Sequence, residues 1–127
     1  MAFSASLTQV ITLSYSQTVI FDAVDTNYGT AYNKDNGHFT APRNGLYYFS
    51  CSFVATANSN VYLIMTKNGV EIARGLAFVV PHGTGTMETV ISLKHGDVVS
   101  VIHHPDPNLG SQPLHGGNWG RFVGFSL

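Results

Sequence analysis

Charged side chains are scarce in this chain of 127 residues, at 10% of the total, and the formal net charge is only −1. A chain so close to neutrality has no electrostatic field that would attract nucleic-acid phosphates or an acidic membrane surface. We therefore expect no nucleic-acid partner. An ordinary soluble domain carries about 25% charged residues, and the shortfall indicates that other subunits cover part of the surface.

A second cysteine, a long apolar run and a basic leader are also missing. Cys51 alone cannot close an internal disulfide, and between two serines it is predicted to be a buried, inert thiol. No stretch approaches the roughly 20 apolar residues that span a bilayer, so we expect no membrane insertion. Met1 does not begin a basic and then apolar signal peptide, which predicts either an intracellular protein or a chain whose leader was trimmed.

Sequence motifs for catalysis are absent too. The chain has no paired acids, no Ser-His-Asp arrangement and no nucleotide motif, and Gly83-Thr84-Gly85 and Gly116-Gly117 lack the strand-to-helix context of a phosphate loop. We expect a protein that is not an enzyme and that requires no cofactor.

Alternation of apolar and polar residues with a period of two recurs along the chain, whereas helical periodicity is hard to find. The alternation predicts strands near residues 3–7, 18–21, 28–32, 37–41, 46–56, 61–67, 71–80, 87–93, 98–103 and 121–127. Asn68-Gly69 is a two-residue hairpin turn between two of them, and residues 81–85 are predicted to form a loop. About ten short strands in one domain, residues 1–127, favour an all-β, two-sheet jelly-roll sandwich. The absence of a Cys-Trp-Cys pattern argues against an immunoglobulin sandwich.

The segment 104–120 is rich in Pro, Gly, Asn and His and is predicted to be a long surface loop, of the kind that binds ligands. Its single tryptophan could stack on a sugar face or anchor a protein partner, or instead pack over the end of the sandwich. The predicted ligand-binding residues are Trp119, Asn118, His115, His104 and Asp106.

Histidines are numerous, with six in the chain. His103, His104, Asp106 and His115 are candidate ligands for a transition metal. Adjacent histidines on an extended chain point to opposite sides, so His103 and His104 should not share an ion within one subunit. One histidine from each of three copies, meeting on an axis, is an alternative, and an exposed polar loop is the competing interpretation.

A set of aromatic, Asn and Gly positions resembles the signature of the C1q-like domain, of the C1q/tumour necrosis factor-like superfamily. The matching residues are Phe21, Asn27, Tyr32, Phe39, Gly45, Tyr47 and Phe49. The stretches 96–99 and 122–125 are similar to the family's last strands, so that the resemblance covers about residues 2–127. Cys51 stands where the signature ends in an aromatic, and Phe53 is predicted to fill the vacated volume.

The resemblance implies a homotrimer that assembles through an outer sheet face. Our candidates for its interface are Phe3, Leu46, Tyr48 and Phe122. It also implies calcium in some members, although the acids Asp22, Asp25, Asp35, Asp97 and Asp106 repeat no calcium-loop signature. Because no Gly-x-y repeat of a collagen stalk is present, we expect a stand-alone head domain or an excised fragment.

The function that the resemblance implies is non-catalytic ligand recognition by a secreted, extracellular trimer. The expected ligands are microbial surfaces or glycans, in the manner of a lectin-like pattern-recognition protein of innate immunity. One alternative is a cytokine-like or adipokine-like ligand that binds a cell-surface receptor. Another is a structural component of an extracellular matrix or biomineral, which the low charge supports poorly.

Overall fold

The computed structural model describes residues 1–56, 59–79 and 83–127, and these residues are organised as strands joined by turns. The strands are β1 (Ala2–Ser6), β2 (Ile11–Leu13), β3 (Ala23–Tyr28), β4 (Tyr32–Asn33), β5 (His38–Thr40), β6 (Gly45–Val54), β7 (Val61–Lys67), β8 (Val70–Ala77), β9 (Thr84–Leu93), β10 (Val98–His103), β11 (Gln112–Leu114) and β12 (Arg121–Ser126). A single turn of 3₁₀ helix, Pro107–Leu109, lies between β10 and β11. The predicted all-β class is confirmed.

Two five-stranded antiparallel sheets contain most of these strands. The front sheet has the order β3-β1-β12-β6-β9, and the back sheet has the order β4-β5-β10-β7-β8. The predicted two-sheet jelly roll is confirmed. The remaining strands, β2 and β11, pair with each other in a small third sheet that was not predicted.

Aromatic rings fill the space between the two sheets. Phe3 stacks on Tyr32 at a centroid distance of 4.9 Å and meets the ring of Phe122 edge-on, also at 4.9 Å. Phe39 and Phe49 meet edge-on at 5.0 Å across the same space. Each such ring removes roughly 150–250 Å² from water, which is the main source of stability in a sandwich with so few charges.

The prediction that Phe3 and Phe122 lie on the outer face is wrong. Their side chains are 1% and 0% exposed and belong to the core. Phe3 lies opposite Gly124 in the register, where an added Cβ would lie 2.5 Å from the Phe3 ring and 2.7 Å from that of Phe49. This side of β12 therefore faces a space already filled by rings, and Phe125 points outward instead.

Three of the signature residues are locked together by hydrogen bonds. The Tyr32 hydroxyl donates to the Phe21 carbonyl at 2.9 Å and accepts from the Phe21 N–H at 3.0 Å. Asn27 binds the backbone of Tyr32 at both ends, donating to its carbonyl at 2.8 Å and accepting from its N–H at 3.2 Å. Burial raises the pKa of the Tyr32 hydroxyl, so the group stays protonated and able to donate.

Cys51 and Phe53 point into the core from β6, and both are fully buried. Burial in apolar surroundings raises the pKa of the Cys51 thiol, which suppresses the reactive thiolate. The Phe53 ring lies against Gly85 of β9, where an added Cβ would approach to 2.5 Å. Glycine at this position therefore makes room for the ring.

Several predicted boundaries are wrong in the irregular part of the chain. Residues 18–21 form only an isolated bridge from Thr18 to Ile102, and residues 28–32 contain a turn with positive φ at Gly29 and Thr30. The predicted strand end at Val80 and the loop residues Pro81 and His82 lie outside the described residues. Asn68 and Gly69, with φ of 50° and 84°, form the predicted hairpin turn.

Asp97 joins two turns at the end of the sandwich that holds the Asn68-Gly69 turn. Its carboxylate accepts hydrogen bonds from the Lys94 N–H at 2.8 Å and from the Asn68 side chain at 3.0 Å. Lys67 lies 3.7 Å from the same carboxylate. The Lys94 N–H, the Asn68 amide and the Lys67 charge hold the pKa of Asp97 below its ordinary value.

We expect Asp97→Ala to lower the urea midpoint of unfolding at pH 7. Because the pKa of the folded state is depressed, this stabilisation is present above the unfolded pKa of about 3.9 and is lost as the pH falls through the folded value. The difference between the wild-type and variant midpoints should therefore shrink as the pH falls below about 3.9. Asp35→Ala, at an exposed turn, is the matched control, and an Asp97→Ala deficit of constant size between pH 7 and pH 3 would contradict the assignment.

Candidate functional site

Three chain segments meet at the end of the sandwich where β6 finishes and β9 begins. The His115 N–H donates to the Val54 carbonyl at 3.0 Å, and the Ala55 N–H donates to the Gly83 carbonyl at 2.9 Å. An isolated bridge joins Ala55 to Leu114. These bonds bring the segment after β11 next to the ends of two front-sheet strands.

The turn that carries Trp119 is fastened to the end of β1 on both sides of the tryptophan. The Asn118 N–H donates to the Leu7 carbonyl at 2.7 Å, and the Leu7 N–H donates to the Gly120 carbonyl at 3.3 Å. The side chain of Asn118 accepts a hydrogen bond from the Ser6 hydroxyl at 2.9 Å. Asn118 has a φ of 69°, a conformation that asparagine tolerates better than most residues.

Gly116 allows this turn to approach the rest of the chain. A Cβ at position 116 would overlap the carbonyl carbon of Gln9. Only glycine can therefore pack the turn against the backbone of residues 8 and 9, where Gly117 also donates to the Thr8 carbonyl at 3.1 Å.

The indole of Trp119 stays 65% exposed although its backbone is held on both sides. With His115, Val54 and Thr84 it lines a depression of about 240 Å³, which we call the Trp119 recess. The rings of His115 and Trp119 meet edge-on at 6.2 Å. The recess thus combines an aromatic face with the hydroxyl of Thr84 and the imidazole of His115.

The five predicted ligand-binding residues are divided between different places. Trp119 and His115 lie together in the Trp119 recess, and Asn118 holds its turn in place. His104 lies in a different recess beside Tyr62. Asp106 caps the 3₁₀ helix by accepting the Asn108 N–H at 2.9 Å.

The four candidate metal ligands do not converge. His103 is fully buried at the end of β10, where its Nε2 lies 2.9 Å from Oε1 of Gln112. The same Gln112 oxygen accepts the Tyr62 N–H at 2.9 Å. His104 Nδ1 instead accepts the N–H of Asp106 at 3.1 Å. Within residues 1–56, 59–79 and 83–127, no three His, Cys, Asp or Glu side chains gather as a metal site.

A second surface feature covers the outer side of the front sheet. Tyr48 lies opposite Val90 on β9 and Phe125 on β12, and its ring is 5.0 Å from that of Phe125. We call this surface the apolar face, and its members are Leu46, Tyr48, Val90, Phe125 and Leu127. Two of them, Leu46 and Tyr48, are predicted interface residues, and the prediction did not name the other three.

Tyr48 also carries a polar contact at the border of the apolar face. Its hydroxyl donates to the Glu88 carboxylate at 2.6 Å, and this hydrogen bond raises the pKa of Tyr48. The bond holds the ring beside that of Phe125, at an angle of 36° between the ring planes, and satisfies the hydroxyl without water. A partner surface can therefore cover this part of the sheet without leaving the phenol unpaired.

Solved structures share this arrangement of strands and define its class as the C1q/tumour necrosis factor-like jelly roll. The globular domain of zebrafish complement 1qA superposes with a TM-score of 0.77 at 19% identity, covering 99% of this chain and 96% of that one. Eiger TNF from S. frugiperda superposes with a TM-score of 0.74 at 11% identity, covering 100% and 92%. Murine APRIL gives a TM-score of 0.74 at 10% identity, covering 99% and 98%.

Residues 2–126 match the C1q domain model, and the chain belongs to the C1q domain family. The heavy metal-binding protein HIP of Mytilus edulis is 32% identical over 129 residues, covering 99% of this chain and 60% of that protein. Human complement C1q tumor necrosis factor-related protein 3 is 28% identical over 131 residues, covering 99% and 50%. The chain thus spans about half to three-fifths of these relatives. Helices long and apolar enough to cross a bilayer are absent from the described parts of the chain.

Proposed function

We propose that this domain is a non-catalytic recognition module that acts as a secreted homotrimer and binds carbohydrate on microbial surfaces through the Trp119 recess. The observation that carries the proposal is the Trp119 indole, which is 65% exposed on a turn that hydrogen bonds hold on both sides. A ring that its turn already holds in place loses little conformational entropy on binding. This is the arrangement expected of a binding anchor in a pattern-recognition protein of innate immunity.

The chemistry of the recess suits a sugar better than a charged ligand. An indole face packs against the C–H groups of a pyranose ring, and the Thr84 hydroxyl supplies a hydrogen bond to one of its hydroxyls. His115 contributes its ring to the wall, while its Nδ1 is engaged by the Gly116 carbonyl at 2.9 Å. The volume of about 240 Å³ is below the roughly 300–1,000 Å³ of pockets that enclose drug-sized ligands. The recess therefore suits one sugar ring at the end of a glycan.

Trimer formation would turn weak single sites into useful avidity. We propose that two further copies of the chain cover the apolar face, as the family resemblance implies and as the low charge content favours. Three recesses on one rigid body then bind a repetitive surface far more tightly than one recess does, without any new contact.

A signalling ligand is the second candidate function. The observation that favours it is the 28% identity to a complement C1q tumor necrosis factor-related protein, together with the fold shared with Eiger TNF and APRIL. Such a ligand would bind one receptor protein saturably at nanomolar concentration and would leave a glycan array unstained. A matrix or biomineral role would instead appear as strong binding to calcium carbonate.

We expect the purified protein to bind a subset of a glycan and bacterial-surface array, and Trp119→Ala to weaken that binding by about tenfold or more, because a stacking indole is typical of binding hot spots. Trp119→Phe should keep part of the binding. Tyr28→Ala, which removes an exposed ring at the other end of β1, is the matched control and should bind as the wild type does. If Trp119→Ala left the array binding intact, the Trp119 recess would not be the sugar-binding site. Repeating the array measurement with and without calcium would show whether the ion contributes to binding.

A further inference from the structure

A second recess opens on the outer side of the back sheet, at a place that the proposed sugar site does not use. It has a volume of about 370 Å³, larger than the Trp119 recess, and we call it the Tyr62 recess. The residues that line it are Tyr62, Leu63, Arg74, Gly75, Leu76 and His104. This volume lies in the range of pockets that bind small molecules.

The strand register places the polar side chains of this recess on one side of the sheet. Tyr62 lies opposite Leu76, and Ile64 lies opposite Arg74, so Tyr62, Leu76 and Arg74 share the outer face. His104 follows β10 directly, and its N–H donates to the Tyr62 carbonyl at 3.0 Å. The rings of Tyr62 and His104 meet edge-on at 6.4 Å.

Two of the polar groups, those of His104 and Arg74, contact a neighbour. Nδ1 of His104 accepts the Asp106 N–H at 3.1 Å, so the proton of the neutral ring is on Nε2, which can donate. Nε and Nη2 of Arg74 both lie 2.7 Å from Oε2 of Glu71, which leaves Nη1 to donate. The Arg74 side chain is 71% exposed, and an exposed ion pair of this kind adds little stability.

We propose that the Tyr62 recess binds a small ligand that carries an oxyanion, a carboxylate or a sulfonate, on a compact ring. The Arg74 guanidinium and the His104 Nε2–H can only donate hydrogen bonds, and the Tyr62 hydroxyl donates readily. Among the described residues, two acidic groups lie near these donors: Glu71 is engaged by Arg74, and the Asp106 carboxylate accepts the Asn108 N–H. An oxyanion is the ligand group that complements donors of this kind, and Leu76 with the two aromatic rings gives the ligand ring an apolar wall.

The site is separate from the sugar site and from the apolar face. It lies on the back sheet, whereas the apolar face lies on the outer side of the front sheet. The recess also shares no lining residue with the Trp119 recess.

The test is an NMR titration of the ¹⁵N-labelled protein with benzoate, benzenesulfonate and, as a neutral probe of the same shape, benzyl alcohol. We expect saturable millimolar binding of at least one of the two anions, with shifts at the Tyr62, Arg74 and His104 signals and none at Trp119. Arg74→Gln should weaken binding by about tenfold, because it removes a charge-assisted hydrogen bond, and Tyr62→Phe by roughly twofold to tenfold. The stronger of the two anions identifies the preferred oxyanion.

Arg43→Gln, which removes an arginine at the start of β6, is the matched charge control and should bind as the wild type does. The spectra of all variants report whether each is folded, and Tyr62→Phe keeps the ring and its packing. Three outcomes would overturn the proposal: no saturable shifts with either anion, equal binding of benzyl alcohol, or binding that Arg74→Gln and Tyr62→Phe leave unchanged.

Discussion

Replacing Phe122 by alanine is expected to lower the free energy of unfolding by about 3–5 kcal/mol. The Phe122 ring is fully buried and lies within 4.9 to 6.2 Å of the rings of Phe3, Phe21, Tyr32 and Phe49. Removing it leaves a cavity among stiff aromatic groups, which cannot collapse to fill the space. Since a small domain is stable by only about 5–15 kcal/mol, the loss removes a large share of the total.

Urea unfolding, followed by far-UV circular dichroism, measures this loss, and one fixed protein concentration for all variants keeps the comparison like for like. Phe122→Leu should cost less, because leucine fills most of the cavity. Phe78→Ala is the matched control, since that ring is exposed, and it should change the free energy of unfolding by no more than about 0.5 kcal/mol. A loss below about 1 kcal/mol for Phe122→Ala would contradict the core described here.

The alternating aromatics of β6 could be predicted from the sequence because each has a local cause. Tyr47, Phe49, Cys51 and Phe53 recur at a period of two, and all four are buried. The strands of residues 61–67 and 98–103 were predicted with the bounds that the structure has, because turns of Asn, Gly and Asp punctuate them on one side. The alternation of residues and the turn chemistry are together sufficient to predict a strand where both indicate the same bounds.

The inward face of β12 could not be chosen by alternation alone. Phe122 and Phe125 lie on opposite faces of the strand, and each is an aromatic that suits either a core or an interface. Gly124 decides which face of β12 points inward. It shares that face with Phe122 and lies beneath the Phe3 ring. A glycine two positions from a phenylalanine indicates a crowded interior, because any larger side chain would collide with a ring from a neighbouring strand.

The Trp119 and Tyr62 recesses depend on pairings between distant parts of the chain. The strand β11, residues 112–114, pairs with residues 11–13, and its proline would normally argue against a strand. Gln112, which was not predicted as a structural residue, binds both His103 and the Tyr62 N–H. No local pattern places His115 beside Trp119 or His104 beside Tyr62, so only the fold reveals that these predicted residues lie in two separate recesses.

The apolar face connects the composition of the chain to its proposed assembly. Leu46, Val90, Phe125 and Leu127 are all exposed on a single subunit, and the chain has few charges with which to solubilise them. Contiguous exposed apolar side chains on one sheet are typical of a surface that a partner covers. A partner with the same chemistry is available in every solution of the protein, namely another copy of the chain.

Val90→Glu is therefore expected to convert a homotrimer into a monomer. Val90 is 56% exposed and lies opposite Tyr48, and a carboxylate there would be buried without a partner in each of three subunits, close to Glu88. Light scattering at micromolar concentration should give three times 13.7 kDa for the wild type and 13.7 kDa for the variant. Val70→Glu makes the same substitution at an exposed valine of the back sheet and should remain trimeric. A monomeric wild type, or a trimeric Val90→Glu variant, would show that the apolar face does not join the subunits.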